Sequence, residues 1–414
     1  MKHNGTGAAD MKELNIRDIS KSVNTPAYVF SGEEFAERAA AVQDILGKDI
    51  GLCYSMKANP FLLEVLPETF CAVEVCSPGE LEICIRRNIP GERIIYSGLN
   101  KGAEDIARAV SYGAGIITAE SRLHLDLINK VSAEAGVVSN VLVRISADSQ
   151  FGIDRREAQV LLKAHDDYPA IHFEGLHFFT GTQKRKPKEI IRELAFLGTY
   201  LEETRELSGL ELKKVEYGTG LPAYLFIDKE IKDVHEAEEK EMEFLREIAP
   251  ALHEVTEKAD LTIEMGRFFA ASCGHYFSRV VDMKTNDGTG YAIIDGGSHQ
   301  IRYFGQMQGM QIPFIDHIPS DDRSNEDISR DGEPDKWTIC GSLCTTADVL
   351  ARNAEFTDLR TGDVLVFHKA GAYALYECMS LFLSRDMPRI YLHDGENLIM
   401  CRDRKETNGL NTAI

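Results

Sequence analysis

The segment IGLCYSMKANPFLLEVLPETF (residues 50–70) joins a short apolar run to a longer amphipathic stretch. The same alternation starts near residue 26 and continues through the runs VEVCS, RIIYSG, GIITAES, NVLVRIS, GLHFF, KVEYGTG and LTIEMGR. Strands that alternate with helices indicate a parallel sheet. Roughly eight such units before residue 270 match the length of a (β/α)₈ barrel. The sequence therefore predicts an α/β fold with a TIM-like barrel across residues 32–270.

The pattern of the sequence changes after Arg267. Helical stretches thin out, and the β-rich runs HYFSRVVDMK, YAIIDGG, DKWTIC, DVLVFHKAGAY and PRIYL replace them. A chain of 414 residues also exceeds the size at which one hydrophobic core usually stops growing. We expect a separate C-terminal β domain, built from residues 271–414 together with 1–31. The acidic, serine-rich segment 320–335 is expected to be an exposed loop.

Composition limits the class of partner and the compartment. With 66 acidic and 46 basic residues the formal charge is −20, which argues against nucleic acid or an anionic membrane as the main partner. No apolar run has the length of a membrane span, and the start MKHNGTGAADMKELN has no signal-peptide core. The nine cysteines are scattered without a CxxC pair. We therefore expect a cytoplasmic protein with reduced thiols and no metal site.

Lys57 in the motif YSMKANP (54–60) is the first candidate for chemistry. It directly follows a short apolar strand and precedes a helix expected near Pro60, so it lies at the barrel mouth where catalytic residues belong. On base rates, a lysine in such a place is more often a solvated surface charge. A Schiff-base lysine would also need a phosphate cradle, a partner for a pyridine nitrogen and a group packed on the ring face.

The chain offers residues for these other functions. EYGTGLP (216–222) places Gly218 and Gly220 at a strand end, where bare backbone N–H groups can approach an anion, although an ordinary turn would look the same. In IEMGR, Glu264 ends a strand, and a carboxylate there could keep a pyridine nitrogen protonated. Arg267 adds a cation. A local ion pair between Glu264 and Arg267 on a surface turn is the simpler alternative.

Seven motifs occur in the order and spacing of a known family: YSMKANP, VEVCSPGEL, GLHFFTGTQ, EMGR, DGG, CGSLCTTADVL and AGAY. From about residue 25 to 397 the chain resembles the alanine-racemase-fold (fold type III) decarboxylases that use pyridoxal 5′-phosphate (PLP), in particular the diaminopimelate and ornithine decarboxylase group. The resemblance implies PLP as cofactor, decarboxylation of an amino acid, and a homodimer with shared active sites.

The resemblance also implies a role for individual residues. Lys57 would bond covalently to the cofactor, with Glu74 nearby as a supporting acid, and Glu264 would pair with the pyridine nitrogen. Cys344 would be inserted by the dimer partner and would protonate the substrate carbon after CO₂ leaves, although a buried structural thiol is the alternative. The residues implied to hold the phosphate are Thr182, Gly218, Gly220, Arg267 and Tyr373.

The sequence departs from the family pattern around the cofactor. Phe179 occupies the position of the usual stacking histidine; it can pack on the ring but cannot donate a hydrogen bond. His177 lies two residues earlier and, on a strand, shares its face. Thr219 and Pro222 replace glycines of the usual phosphate loop, so we expect phosphate binding to be retained with altered backbone geometry.

The positions that would read the substrate also differ. Thr345 follows Cys344, where diaminopimelate decarboxylases resemble one another in having a glutamate that reads the distal end of the substrate. Asp348 is an alternative acid for that contact. The segment DGGSHQIRYFGQM (295–307) lacks the family's arginine spacing, which leaves open whether Arg302 replaces that arginine.

These departures resemble an atypical branch that decarboxylates an amino acid already attached to a carrier protein or a siderophore precursor. Three alternatives remain open. The first is meso-diaminopimelate decarboxylation in lysine biosynthesis. The second is an amino-acid racemase on the same fold, which would need a tyrosine base opposite the lysine. The third is a non-catalytic PLP-binding regulatory protein, a class of single short barrels against which the length of 414 residues argues.

Overall fold

The computed structural model describes residues 15–321 and 336–413. The strands in chain order are β1 (Ala27–Ser31), β2 (Gly51–Ser55), β3 (Phe70–Val75), β4 (Ile94–Tyr96), β5 (Ile116–Ala119), β6 (Ser139–Ile145), β7 (Ile171–Phe179), β8 (Lys214–Gly218), β9 (Phe226–Ile227), β10 (Asp260–Met265), β11 (Gly274–Asn286), β12 (Thr289–Ile294), β13 (Ile312–Pro313), β14 (Ile315–Ile318), β15 (Lys336–Cys340), β16 (Val349–Glu355), β17 (Val364–Phe367), β18 (Arg389–His393) and β19 (Leu398–Arg402).

The α-helices are α1 (Ile16–Ser22), α2 (Gly32–Leu46), α3 (Pro78–Arg86), α4 (Ala103–Tyr112), α5 (Arg122–Ala135), α6 (Arg155–Lys163), α7 (Pro187–Ser208), α8 (Val234–Thr256) and α9 (Arg267–Ala270). The 3₁₀ helices are Met56–Ala58, Pro60–Val65, Gly91–Arg93, His165–Asp167, Phe382–Ser384 and Asn408–Asn411. Within the described residues, none of the helices is long and apolar enough to cross a membrane.

Eight parallel strands form a closed barrel in the order β2, β3, β4, β5, β6, β7, β8 and β10, and β10 pairs back to β2. The predicted fold class is therefore confirmed. One detail differs: the helix predicted near Pro60 is a 3₁₀ helix, Pro60–Val65. It ends before Leu66, which is extended (φ −61°, ψ 114°) because it precedes Pro67 and the proline ring disfavours helical geometry in the residue before it.

An apolar layer lines part of the inside of the barrel below its mouth. It consists of one buried side chain from each of five neighbouring strands: Cys53, Ala72, Ile95, Ile116 and Leu142. Side chains two positions further along a strand lie on the same face, one layer closer to the carboxyl ends. On these strands the polar residues that follow therefore lie above an apolar layer.

The second unit is a nine-stranded sheet whose main path runs β16, β15, β12, β11, β1, β18 and β19. Strand β1 lies inside this sheet, antiparallel to β11 and parallel to β18. We propose that the chain divides as the sequence suggests, with residues 32–270 as the barrel and the segments on either side as the β domain. Residues 1–14 and most of the predicted loop 320–335 lie outside the described residues.

A buried ionic cluster joins the two units. Glu241 of α8 accepts from Arg38 of α2 at 2.6 Å and from Lys369, which follows β17, at 2.8 Å. All three residues are at least 94 % buried. Arg38 Nε also donates to the carbonyl oxygen of Phe268 at 3.0 Å. Because Phe268 follows Arg267 in α9 and Lys369 shortly precedes Tyr373, this cluster anchors two segments that reach the barrel mouth.

Candidate active site

A cavity of about 440 Å³ lies at the carboxyl ends of the barrel strands, and the second unit contributes part of its wall. This volume lies within the usual range of small-molecule sites. The site residues predicted from the sequence that line this cavity are Lys57, Glu74, His177, Phe179, Thr182, Gly220, Glu264, Arg267 and Tyr373.

Lys57 lies in the 3₁₀ turn directly after β2. Its ammonium donates to Glu74 Oε2 at 2.6 Å and lies 3.4 Å from Glu264 Oε1 and 3.5 Å from Cys76 Sγ. Burial lowers the pKa of Lys57, but the negative charges of Glu74 and Glu264 outweigh it, so the pKa is raised well above its ordinary value. The amine must therefore pass a proton to a neighbour before it can act as a nucleophile.

Glu264 is held from several sides at the end of β10. The Ser55 hydroxyl donates to Oε1, and His177 Nε2 lies 3.1 Å from Oε2. Burial raises the pKa of Glu264, but the Lys57 charge and the His177 hydrogen bond outweigh it and hold the pKa well below its ordinary value. The side chain is thus an oriented, ionised carboxylate.

Phe179 and His177 both face the cavity, as the strand period predicted. Gly218 lies beside Phe179: a Cβ atom at position 218 would come within 2.6 Å of Phe179 Cδ2. A larger residue at 218 would therefore displace the aromatic ring. Gly218 itself is not among the residues that line the cavity, and its phosphate contact stays a prediction.

The part of the cavity around Arg267 suits an anion. The Arg267 guanidinium packs over the rings of Tyr373 and Phe304, 4.5 and 4.8 Å from their centroids, and its Nε is buried with no hydrogen-bond partner among the described residues. Gly220 has φ +63°, and a Cβ there would lie 2.0 Å from the Gly181 carbonyl oxygen. A buried donor without an acceptor fits a phosphate group. The residues present thus fit PLP.

Besides Gly218, four predicted residues do not line the cavity of their own chain: Cys344, Thr345, Asp348 and Arg302. Cys344 is exposed on the loop between β15 and β16. Arg302 is exposed as well, and its backbone N–H donates to the Ala374 carbonyl oxygen. The roles of Cys344, Thr345 and Arg302 stay predictions.

Asp348 lies among backbone hydrogen-bond donors and does not line the cavity. It is buried, with Oδ1 accepting from the Ser298 backbone N–H at 2.7 Å and Oδ2 from that of Leu343 at 2.8 Å. Both carboxylate oxygens are therefore used to stabilise the loop that carries Cys344. Both oxygens of Asp348 thus accept backbone hydrogen bonds within this chain, and its contact with a substrate stays a prediction.

The cavity residues that sequence reasoning missed include Ser55, Cys76, Arg144, Phe304 and Glu377. Cys76 had a usable signal, because it lies two residues after Glu74, at the carboxyl end of β3. Arg144 also had a usable signal, because it is the single charged residue in the apolar run NVLVRIS. Phe304 and Glu377 lie in irregular segments, where no periodicity indicates direction.

The comparisons with known proteins agree with this geometry. A family model described as "Pyridoxal-dependent decarboxylase, pyridoxal binding domain" matches residues 33–271, more than half of the chain. The chain therefore belongs to the pyridoxal-dependent decarboxylases. It is an enzyme, and its cofactor is PLP.

The relatives divide into two kinds. A diaminopimelate decarboxylase of Aquifex aeolicus is 26% identical over 89% of this chain and 86% of its own length. An L-glutamyl-[BtrI acyl-carrier protein] decarboxylase of Niallia circulans is 25% identical over 92% and 91%. The crystal structure of diaminopimelate decarboxylase from Methanocaldococcus jannaschii covers 95% of this chain and 93% of its own, with a TM-score of 0.81 at 23% identity, and shares the fold.

Proposed function

We propose that this enzyme decarboxylates an amino acid whose side chain bears a further substituent, either a carrier protein or a larger acid. The observation that carries the proposal is Thr345 beside Cys344, because this pair lacks the charge that would read a distal amino group. Two relatives support it: the carrier-protein enzyme of Niallia circulans and a 2-[(L-alanin-3-ylcarbamoyl)methyl]-2-hydroxybutanedioate decarboxylase of Staphylococcus aureus, 28% identical over 82% of this chain and 87% of its own length.

Bound PLP supplies an electron sink for the negative charge that remains on carbon when CO₂ leaves. Lys57 would hold the cofactor covalently, and Glu74 Oε2 lies within 2.6 Å to take the proton that the ammonium must lose. Glu264, ionised and fixed by Ser55 and His177, would keep the ring nitrogen protonated. Phe179 would pack against the ring and exclude water from one face.

Arg267 would bind the phosphate as the main cation, with the hydroxyl groups of Thr182 and Tyr373 as further donors. The backbone around Gly220 can approach an anion because no Cβ intervenes. The altered glycine loop therefore retains its two essential features, a bare backbone position and a nearby guanidinium.

We further propose a homodimer in which Cys344 completes the active site of the partner. Within one chain Cys344 is exposed and away from the cavity, whereas Asp348 holds its loop rigidly. Two segments at the cavity mouth, 304–310 and 376–383, expose apolar side chains: Phe304, Met307, Met310, Tyr376, Met379, Leu381, Phe382 and Leu383. Exposed apolar groups of this number indicate a protein interface.

Decarboxylation of meso-diaminopimelate is the second candidate function. Relatives from Aquifex aeolicus and Methanocaldococcus jannaschii that carry that name favour it, and they match most of this chain.

We also propose a cytoplasmic location, which is supported by nine free thiols without a disulfide among the described residues.

A substrate screen tests the proposed function. The holoenzyme is incubated with free amino acids, diaminopimelate, and amino acids linked to citrate or to a carrier protein, and CO₂ release is measured together with the absorbance of the lysine-bound cofactor. We expect CO₂ release to be fastest from a linked substrate. Inversion of the α-carbon without CO₂ would instead establish a racemase, and efficient turnover of diaminopimelate would establish the second candidate.

A further inference from the structure

Two chain segments that carry proposed phosphate contacts lie side by side at the barrel mouth. The first, residues 180–184, follows β7 and contains Thr182. The second, residues 217–223, starts at the end of β8 and contains Gly220. Thr182 and Gly220 both line the cavity. An anion held by hydroxyl and backbone N–H groups needs these groups in fixed positions, so the contacts that hold the two segments matter for binding.

Direct contacts between the two segments set their spacing. The Lys184 backbone N–H donates to the Gly220 carbonyl oxygen at 2.9 Å. The Gln183 side chain donates to the Ala223 carbonyl oxygen at 2.9 Å and accepts from the Ala223 N–H at 2.6 Å. A Cβ atom at position 220 would lie 2.0 Å from the Gly181 carbonyl oxygen, so the two backbones are in close contact. The two segments are therefore held together as one unit.

Glu193 of α7 binds both segments. Its Oε1 accepts from the Thr180 hydroxyl at 2.7 Å. Its Oε2 accepts from Lys184 Nζ at 2.7 Å and from the Tyr217 hydroxyl at 2.5 Å. Thr180 and Lys184 lie on either side of Thr182 in the first segment, and Tyr217 begins the second. One carboxylate thus connects α7 to both segments.

This cluster is buried, and its charges are paired. The side chains of Lys184 and Glu193 are 8% and 16% exposed. Burial lowers the pKa of Lys184, and the hydrogen bond and charge of Glu193 partly offset this effect. Burial, followed by the charge of Glu193, raises the pKa of Tyr217 well above its ordinary value, so the phenol stays protonated and donates. Removing the carboxylate would leave a buried ammonium and two hydroxyl groups without their acceptor, which favours rearrangement of both segments.

We infer that Glu193 is a positioning residue for the cofactor phosphate, and that it acts by holding both phosphate-binding segments through the three donors that it accepts. Glu193 does not line the cavity, so it leaves the cavity side of the segments free for an anion. Its negative charge is paired with Lys184 and therefore opposes a bound phosphate little. The inference rests on the phosphate site proposed above and not on the proposed substrate.

Binding of PLP and of pyridoxal, which lacks the phosphate, tests this role. Full-length wild type and variants, freed of cofactor, are titrated with each compound while the absorbance of the lysine-bound form is followed. We expect Glu193→Gln to weaken PLP binding about tenfold or more and to change pyridoxal binding less than about twofold, because pyridoxal makes no phosphate contact. Glu202→Gln is the matched control: it removes a 2.7 Å ion pair with Lys258 on the exposed surface of α7 and should leave both affinities unchanged.

Tyr217→Phe keeps the test decisive if Glu193→Gln does not fold, as judged by circular dichroism. This variant removes one donor to Glu193 with little change of shape. It should weaken PLP binding by a smaller factor than Glu193→Gln and leave pyridoxal binding unchanged. The result for Glu193→Gln decides the question if that variant folds, and the result for Tyr217→Phe decides it otherwise. A selective loss of PLP binding supports the inference whatever the substrate is, because no turnover is measured.

Arg267→Gln separates this inference from the phosphate site on which it rests. A selective loss of PLP binding in Arg267→Gln would support that site. If the deciding cluster variant then weakens both compounds equally, or weakens neither, Glu193 has only a structural role and the inference is overturned while the phosphate site stands. If Arg267→Gln also fails to discriminate between the two compounds, the phosphate site itself is wrong, and the positioning role is rejected with it.

Discussion

Glu74 Oε2 lies 2.6 Å from Lys57 Nζ, and the two side chains differ in exposure: that of Glu74 is 3% exposed and that of Lys57 is 36% exposed. The acid thus lies behind the lysine, and the amine faces the open cavity. A proton can move inward to Glu74 while the nitrogen remains accessible from outside. This arrangement suits a nucleophilic amine better than a structural ion pair.

Replacing Lys57 with alanine should abolish turnover and leave only reversible cofactor binding, because no amine remains to form the covalent bond. Borohydride reduction followed by mass spectrometry measures the bound cofactor. Lys130→Ala, on the exposed side of α5, is the matched control and should trap cofactor like the wild type. Trapped cofactor in Lys57→Ala would show that another lysine is the nucleophile.

The proposed shared site predicts complementation between two inactive variants. Lys57→Ala and Cys344→Ala chains, each inactive alone, should regain part of the activity after mixing, because some mixed dimers contain one intact composite site. Subunit exchange is verified by native mass spectrometry. If exchange occurs and activity does not return, Cys344 does not act across the interface.

Thr345 should make meso-diaminopimelate a poor substrate. A carboxylate that reads a distal ammonium contributes roughly 1.5–3 kcal/mol, or about ten- to a hundredfold in discrimination, and Thr345 cannot supply it. Thr345→Glu should raise kcat/KM for diaminopimelate if the remaining pocket accepts it. A wild-type kcat/KM of about 10⁴ M⁻¹s⁻¹ or above would identify diaminopimelate as the substrate and reject the proposed one.

The buried cluster of Arg38, Glu241 and Lys369 should contribute strongly to stability. Glu241→Leu would leave two buried cations unpaired and should lower the free energy of unfolding by about 3–5 kcal/mol. Glu230→Leu is the control, because it removes the 2.7 Å pair with Lys240 at the surface and should cost no more than about 1 kcal/mol. Denaturant unfolding at equal protein and PLP concentrations measures both. Equal losses of unfolding free energy in the two variants would show that the buried cluster contributes no more to stability than a surface ion pair.

Glu216 predicts a dependence of stability on pH. It is completely buried, and burial, followed by the charges of Glu264 and Glu74, raises its pKa well above the ordinary value. The folded state therefore keeps the proton, whereas the unfolded chain releases it above about pH 4.3, so folding becomes less favourable as pH rises. Glu216→Gln should be more stable than wild type at pH 7, and this advantage should shrink towards pH 4. Unfolding curves at several pH values measure the stability difference between Glu216→Gln and the wild type. A difference that does not change with pH would show that Glu216 is not protonated in the folded state.

The barrel was predictable because its strands are buried on both faces. Parallel strands covered by helices read as continuous apolar runs, and each of the eight barrel strands from β2 to β10 corresponds to a run identified in the sequence. Strands β16 and β19 were not recognised as apolar runs, since they lie at the two ends of the main path through the second sheet. Strand β16, for example, carries Arg352 and Asn353. Partly solvated strands lose the apolar signal.

The site was predictable where motifs sit at strand ends and less so elsewhere. Lys57, Glu264 and Arg267 meet in the cavity because the carboxyl ends of barrel strands converge. The pairing of Arg144 with Glu120 was not predictable, because Glu120 directly follows the neighbouring strand β5 and only the strand order brings the two together. The proposed role of Cys344 involves a second copy of the chain, and no pattern within one sequence indicates such a contact.

The position of β1 has a consequence for synthesis on the ribosome. This strand emerges among the first, yet its two neighbours in the sheet start at Gly274 and Arg389. The barrel can close while both edges of β1 still lack their partners, and unpaired edges invite association with other chains. We therefore expect the nascent chain to be most prone to aggregation, and most dependent on chaperones, until β18 has left the exit tunnel.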